Sequence, residues 1–375
     1  MMSCRNVDLH SALAFFLTAG LVACGGGGGG GTSSTATTSP SITVSSSPIS
    51  GTNILSVLVD SGPNGTDVNR LYTTVKVCQL GSSTVCQTID HVLVDTGSTG
   101  LRLLASELTN PAITQNRITT STSLPLLNCA QFIDLTYAWG PVTTVDVTLG
   151  GETATGVPIQ LIGDPAFAAM ASQCSANGAY TALNSISVLG AKGILGISLF
   201  KQDCGTACVT QVAYNHQNSG NGFYYTCTNA SCTASVGTTA SLTQQVSNPV
   251  PLFAINNNGF IVDLPEVNPP GANLMNGAVI FGIGTQANNQ FSSGSVLTTN
   301  SVGYVTTQLA AATFVKSFID TGSNGIYFNT TTLPTCGHFY CPVTATTLTT
   351  TMTGANSGSA SVPFTVSNAQ ELFSA

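Results

Sequence analysis

Short runs in which apolar and polar residues alternate recur along the chain from Ile54 onward, separated by turns rich in Gly, Asn and Ser. A period of two residues is typical of half-buried β-strands, whereas long stretches with helical periodicity are scarce. The pattern therefore predicts an all-β protein. No later segment has 18 consecutive apolar residues, so we expect no membrane-spanning helix.

The first 24 residues follow a different pattern. Arg5 precedes an apolar stretch from Leu9 to Ala23, which is too short and too interrupted to span a membrane and so favours a secretory signal. Its end, Leu-Val-Ala-Cys24, resembles the lipobox of bacterial lipoproteins, in which the cysteine is lipidated and becomes the first residue. We predict a lipoprotein signal peptide over residues 1–24 with lipidation at Cys24; a plain signal peptide is the alternative.

Residues 25–52 open with seven glycines and continue as a Thr- and Ser-rich run. Such a segment has too little apolar surface to fold, which predicts a flexible tether. We therefore expect an exported domain, anchored by lipid to the bacterial cell envelope, at the outer membrane or the periplasmic face if the cell is Gram-negative.

Charged residues make up only 6% of the 375 residues, with eight basic and fifteen acidic side chains and a net charge of −7. In typical soluble domains, charged residues make up about 25% of the chain. So few Lys and Arg residues leave no basic patch for phosphate groups, which excludes nucleic acid as an expected partner. The 39 glycines and many β-branched residues fit an exported β protein, which we expect to be a monomer.

Ten cysteines follow Cys24, an even number that favours disulfides in an exported chain. Cys78 and Cys86 flank a short turn and predict a hairpin disulfide, and Cys336 and Cys341 would close a small loop. The pairing of the remaining six stays open. A metal site at Cys336, His338 and Cys341 is a weaker alternative with only three ligands, and we predict neither a metal nor a cofactor.

One tetrapeptide, Asp-Thr-Gly-Ser, occurs twice in matching surroundings. It begins at Asp95 within Val92–Leu101 and again at Asp320 within Ser317–Ile326, each time after an apolar strand and before a small polar residue, Gly and an aliphatic residue. With only 11 Asp in the chain, chance would give on the order of 0.01 copies of this tetrapeptide. The two copies indicate an internal duplication.

The chemistry of such a pair follows from burial. An Asp that follows a buried strand lies where its charge is disfavoured, and two such carboxyls face to face cannot both ionise. The ionised member could take a proton from water while the protonated member polarises a carbonyl. This logic assigns catalysis to Asp95 and Asp320, with support from the other residues of the two loops, namely Thr96, Gly97, Ser98, Thr321, Gly322 and Ser323. A single copy would be read as a simple strand-to-turn junction.

The sequence resembles the bilobal, pepsin-like aspartic peptidases. Further matches follow in family order: a hairpin leading into the first Asp, a flap-like hairpin over 137–151, an apolar-apolar-Gly strand at 193–196, and a strand at 277–282 near the change of lobe. The chain also resembles bacterial lipoproteins of unknown function that carry this signature. The resemblance implies duplicated β-barrel-like lobes, with an N-terminal lobe over 53–284 and a C-terminal lobe over 285–375. It also implies a polypeptide substrate.

Two departures from the family pattern affect the expected site. Arg102 lies near the place where the family has a Trp that supports the flap tyrosine. We assign Tyr137 to the flap; Trp139 either replaces the missing Trp from within the flap or simply packs in the hairpin. The resemblance implies that the second lobe should also have an apolar-apolar-Gly strand, but we identify no such pattern within the 55 residues after Asp320. We therefore predict an incomplete second lobe.

Three functions fit these features. The first is an aspartic-type endopeptidase in which the paired Asp residues activate water. The second is a non-catalytic surface lipoprotein that binds peptide or glycan and retains the aspartic protease fold. The third and weakest makes the two Asp a glycosidase pair, which would hold its carboxyls about 5 Å or more apart.

Overall fold

The structure is a computed structural model that describes residues 14–15, 51–210, 222–267, 272–291 and 294–374. The predicted lipidation site at Cys24 lies outside the described residues, as do the predicted signal peptide except for residues 14–15 and most of the tether. Within the described residues, no helix has the length and apolar character needed to cross a membrane.

Strands dominate the described residues, which confirms the all-β prediction. In chain order they are β1 Ala14–Phe15, β2 Ile54–Val59, β3 Leu71–Gln79, β4 Cys86–Asp95, β5 Thr99–Leu104, β6 Leu126–Gln131, β7 Thr136–Leu149, β8 Glu152–Ile162, β9 Thr181–Ala182, β10 Gly193–Ile197, β11 Gly222–Cys227, β12 Ser235–Gly237, β13 Phe260–Asp263, β14 Met275–Phe281, β15 Val305–Leu309, β16 Ala312–Ile319, β17 Thr335–Cys336, β18 Phe339–Tyr340, β19 Thr346–Thr353 and β20 Ser359–Val366.

Helical segments among the described residues are short. The α-helices are α1 Ile186–Leu189, α2 Ala207–Thr210 and α3 Ala369–Ser374. Single 3-10 turns occur at Ala105–Glu107, Pro111–Thr114, Pro165–Phe167, Val250–Leu252 and Ala287–Asn289.

Six strands close into a barrel in the order β3-β4-β10-β5-β8-β7, with β7 returning to pair with β3. The strands β2, β6, β9 and β11 to β14 extend the same sheet. Closure is favoured because both edges of each barrel strand find hydrogen-bonding partners, and 24 buried hydrophobic side chains fill the main core. The apolar-apolar-Gly segment predicted as a strand lies in β10, which pairs in parallel with β4 so that Gly196 lies opposite Asp95.

The second sheet has the order β1-β16-β15-β19-β20 and a much smaller core. Four buried hydrophobic residues, Val305, Leu309, Phe314 and Met352, form its centre. The strand beside β16 on the side away from β15 is β1, in parallel. Among the described residues, no strand that follows Asp320 takes this position. The predicted lobe boundary at 284/285 falls between β14 and β15, and the division into lobes stays a prediction.

Five disulfides join the ten cysteines after Cys24. The two predicted pairs, Cys78–Cys86 and Cys336–Cys341, are confirmed. The six cysteines that the sequence left unassigned form Cys129–Cys174, Cys204–Cys208 and Cys227–Cys232. Among the described residues, no group of His, Cys, Asp and Glu could hold a metal ion, so the alternative metal site at 336–341 gains no support.

Candidate functional site: a pair of buried carboxyls

The two Asp-Thr-Gly-Ser loops meet at one place. Asp95 ends β4 and Asp320 follows β16, so each carboxyl stands at the end of an apolar strand. Both residues are buried, with 7% and 9% of their surface exposed. The charge of Asp320 acts on the Asp95 carboxyl, and each carboxyl lies against the glycine of the opposite loop, so the structure brings together the two residues that the sequence singled out.

Glycines allow this close approach. A Cβ atom on Gly97 would lie 2.8 Å from Cγ of Asp320, and one on Gly322 would lie 2.7 Å from Cγ of Asp95. Real Cβ atoms essentially never come so near another atom. The third residue of each loop must therefore be Gly if the opposite carboxyl is to keep its place.

Each carboxylate accepts hydrogen bonds from its own loop. Oδ1 of Asp95 accepts the backbone N–H groups of Gly97 at 2.8 Å and Ser98 at 3.1 Å, and its Oδ2 accepts the Ser98 hydroxyl. Oδ1 of Asp320 accepts the Gly322 N–H at 2.8 Å, and its Oδ2 accepts the Ser323 hydroxyl at 2.6 Å. These donors fix the orientation of both carboxyl planes.

The threonines tie the loops to each other through four crossed hydrogen bonds. The Thr96 hydroxyl donates to the carbonyl of Ile319 at 2.9 Å and accepts the Thr321 N–H at 3.1 Å. The Thr321 hydroxyl donates to the carbonyl of Val94 at 2.6 Å and accepts the Thr96 N–H at 3.2 Å. The N–H and hydroxyl groups of both threonines are therefore paired with the opposite loop, as buried polar groups require.

The surroundings favour the protonated form of Asp95. Burial raises the pKa of its carboxyl above the ordinary value, and the neighbouring charge of Asp320 raises it further, against the opposing effect of the Ser98 hydrogen bond. Two carboxyls in contact titrate as a coupled pair. Such a pair can hold one proton between two acids, which equips the site to accept and donate protons at once.

The two proposed flap residues share one strand and one hydrophobic cluster. Tyr137 and Trp139 are on β7, opposite Gln131 and Cys129 of β6. Both pack in a cluster around the Cys129–Cys174 and Cys227–Cys232 disulfides. The Trp139 indole N–H donates to the carbonyl of Phe167 at 2.8 Å. Their role as a flap over substrate stays a prediction.

A polar network behind the Asp95 loop was missed by sequence reasoning. The Arg102 guanidinium is buried and donates to side chains from distant parts of the chain, those of Asn128, Gln160 and Asp203. The sequence carried one signal for it: a lone Arg inside the apolar run Leu-Arg-Leu-Leu requires a buried acceptor. Its partners could not be named because none is near it in the chain.

Comparison with known proteins gives a family without an assigned activity. No curated protein matches the chain. The family described as "protein of unknown function (DUF3443)" matches residues 50–375, which is well over half of the sequence. The matched region spans both Asp-Thr-Gly-Ser loops and all strands from β2 to β20. The chain therefore belongs to the DUF3443 family.

Proposed function

We propose that the protein is an aspartic-type endopeptidase of the bilobal, pepsin-like kind. The observation that carries the proposal is the close approach of Asp95 and Asp320, each held by the same loop sequence and each buried. A glycosidase pair would hold its carboxyls about 5 Å or more apart, whereas here each carboxyl lies against the glycine of the opposite loop and the charge of Asp320 raises the pKa of Asp95. Proton sharing between two acids is the chemistry that this spacing supports best.

The reaction would run through one protonated and one ionised carboxyl. The ionised Asp takes a proton from a water molecule between the two groups, and the resulting hydroxide attacks the peptide carbonyl carbon. The protonated Asp gives its proton to the carbonyl oxygen, which forms a neutral tetrahedral diol. When the C–N bond breaks, one diol hydroxyl returns its proton to an Asp and the amine nitrogen receives a proton from the pair.

The test is cleavage of a reduced, carboxymethylated polypeptide over a series of pH values. We expect Asp95→Asn and Asp320→Asn each to lower kcat by about 10³-fold or more, because paired groups act as a unit. Asp263→Asn is the matched control, since Asp263 is an exposed carboxyl on β13. Full activity in either loop variant would refute the assignment of these residues.

The proposal includes export and a lipid anchor at Cys24. Five disulfides favour an oxidising compartment. Metabolic labelling with a radioactive fatty acid should mark the wild-type protein but not Cys24→Ser, and the variant should move from the membrane fraction to the soluble fraction. Equal labelling of both proteins would place any lipid elsewhere.

A binding protein that retains this fold is the second candidate. One observation favours it. A cavity of about 210 Å³ lies beside the cluster around the Cys129–Cys174 disulfide and is lined by residues that include Tyr137, Trp139, Phe167 and Met170. In that case peptide or glycan binds without hydrolysis, and Asp95→Asn leaves the affinity unchanged. Calorimetry with a non-cleaved ligand separates this function from catalysis.

A further inference from the structure

Arg102 is the largest fully buried side chain among the described residues, with 1% of its surface exposed. It lies on β5, seven residues after Asp95 in the chain. A guanidinium cannot be deprotonated in a protein and is costly to bury, so its position has to be balanced by a negative partner and by hydrogen-bond acceptors.

Those partners come from three separate elements. Nη2 of Arg102 lies 3.0 Å from Oδ2 of Asp203. Nη1 donates to Asn128 Oδ1 of β6 at 2.6 Å and to Gln160 Oε1 of β8 at 2.7 Å. Asp203 is held in turn by the Tyr224 hydroxyl at 2.6 Å and by the Asn128 amide at 3.0 Å. The guanidinium is thus fixed from several sides.

The same guanidinium reaches the carboxyl loop. Nη2 donates to the carbonyl of Thr99 at 3.2 Å, and the preceding carbonyl, that of Ser98, accepts the Ser198 N–H at 3.0 Å. The Thr99 and Ser198 hydroxyls are 2.5 Å apart. The carbonyls of Ser98 and Thr99 are therefore both held by hydrogen bonds. They directly follow the N–H and hydroxyl of Ser98, which donate to Asp95.

Stability alone does not explain this arrangement. Replacing a buried ion pair by apolar side chains of similar volume is often neutral or stabilising. What a guanidinium adds is a rigid, planar set of donors that holds several acceptors in one geometry. Here one of those acceptors belongs to the loop of Asp95.

We propose that Arg102, held by Asp203, is a positioning residue that fixes the two Ser98 donors on the Asp95 carboxyl. The inference rests on the proposed function and deepens it, since it adds a residue that acts on the reaction through another. Because the opposite charges of Arg102 and Asp203 lie side by side, the pair acts through geometry more than through its electric field.

The test compares wild type with R102M/D203N, in which no buried charge is left unpaired. We expect kcat for peptide cleavage to fall by about 10- to 100-fold with KM within about twofold. We also expect the pKa of Asp95, followed by NMR of ¹³C-labelled aspartate, to rise, because hydrogen bonds from Ser98 to the ionised carboxyl lower it in the wild type. R102K serves as a second variant that keeps the charge but not the planar donors, and it should shift both readouts in the same direction.

The matched control is R70M. Arg70 also donates to a backbone carbonyl, that of Leu189 at 2.6 Å, and lies 3.5 Å from Asp67, but neither contact involves the Asp95 loop. This variant should leave both kcat and the Asp95 titration unchanged. An Asp95 titration curve in folded R102M/D203N and R102K that coincides with that of wild type overturns the inference. If the wild type cleaves no peptide, the proposed function fails while the titration still decides the role of Arg102.

Discussion

The same four residues, Asp-Thr-Gly-Ser, stand in very different surroundings in the two halves of the molecule. Around Asp95, residues 92–95 and all six residues of β5 are buried, and β10 lies beside β4. Around Asp320, half or more of β16 is exposed, and Tyr327 a few residues later is 49% exposed. We infer that the Asp95 loop is part of the closed barrel, whereas the Asp320 loop depends on that barrel for its position.

The hydrogen bonds agree with this contrast. Asp95 receives three donors from its own loop, including the Ser98 N–H. For Asp320 two donors of its loop are within reach, those of Gly322 and Ser323. The crossed threonine bonds then link the second loop to the carbonyl of Val94 in the barrel. We infer that the Asp95 carboxyl is held by its own half of the molecule, whereas the Asp320 carboxyl is held in place by bonds between its loop and the first half.

The disulfides allow the largest test of this contrast. Cys129–Cys174 closes 45 residues in the first half, and Cys336–Cys341 closes only 5 in the second. On the loop-entropy account, replacing the first pair by Ala costs about 4 kcal/mol and the second about 2 kcal/mol. Chemical denaturation of both double variants measures the difference. Equal losses would show that the first half gains no more from Cys129–Cys174 than the second half gains from Cys336–Cys341.

Substitution of the loop glycines by Ala tests the contact between the carboxyls. Gly97→Ala and Gly322→Ala each place a Cβ within 3 Å of the opposite carboxyl, and we expect both to displace the Asp320 loop and lower kcat by about 100-fold. Gly325→Ala is the control, because a Cβ there meets nothing within 4 Å. If the Gly97 and Gly322 variants cleave peptide like the control, the carboxyls need not be in contact for activity.

The crossed threonine bonds should matter more on one side than on the other. Thr321 is buried, at 8% exposure, whereas Thr96 is half-buried. Each Thr→Val change removes a hydroxyl that donates to one backbone group of the other loop and accepts from another. The two backbone groups lose their partner, which we expect to lower the free energy of unfolding by about 1–3 kcal/mol. We expect Thr321→Val to lie at the upper end of this range and Thr96→Val at the lower end, as measured by urea unfolding. The reverse order would contradict the idea that the second loop is held by the first.

The smallest expected effect is on pH dependence. Burial and then the charge of Asp320 raise the pKa of Asp95 in the folded chain, so its protonation stabilises the fold below the ordinary pKa of about 4, and this contribution is lost as the pH rises through the raised value. Asp320→Asn removes the repulsion but not the burial. The Tm should therefore fall less between acid and neutral pH in Asp320→Asn than in wild type, and identical slopes would show that the two charges do not interact.

The sequence predicted those features that depend on residues close together in the chain or on a repeated motif. The doubled tetrapeptide located both carboxyls, the spacing of Cys78 and Cys86 located a hairpin disulfide, and the apolar-apolar-Gly pattern at Gly193–Gly196 located a strand. In each case, neighbouring residues or a repeated motif carry the information. The closed barrel itself depends on register between strands, which a single alternating pattern does not specify.

What the sequence could not predict depends on residues that are far apart. The pairing of Cys129 with Cys174 requires knowing how the chain after β8 folds back onto β6. The partners of Arg102 come from β6, β8 and the segment around Asp203. The Tyr137 and Trp139 side chains were assigned by hairpin position, and their packing around disulfides depends on that same long-range geometry.

The crossed bonds between Thr96 and Thr321 have a consequence for partial unfolding. The carboxyl pair exists only while both sheets are docked, because each loop completes the hydrogen bonding of the other. The 24 buried hydrophobic residues of the main core include none from the second sheet. In mild denaturant the second sheet can open as a separate cooperative unit, so the chemistry of the site disappears while the barrel still protects its amides from exchange.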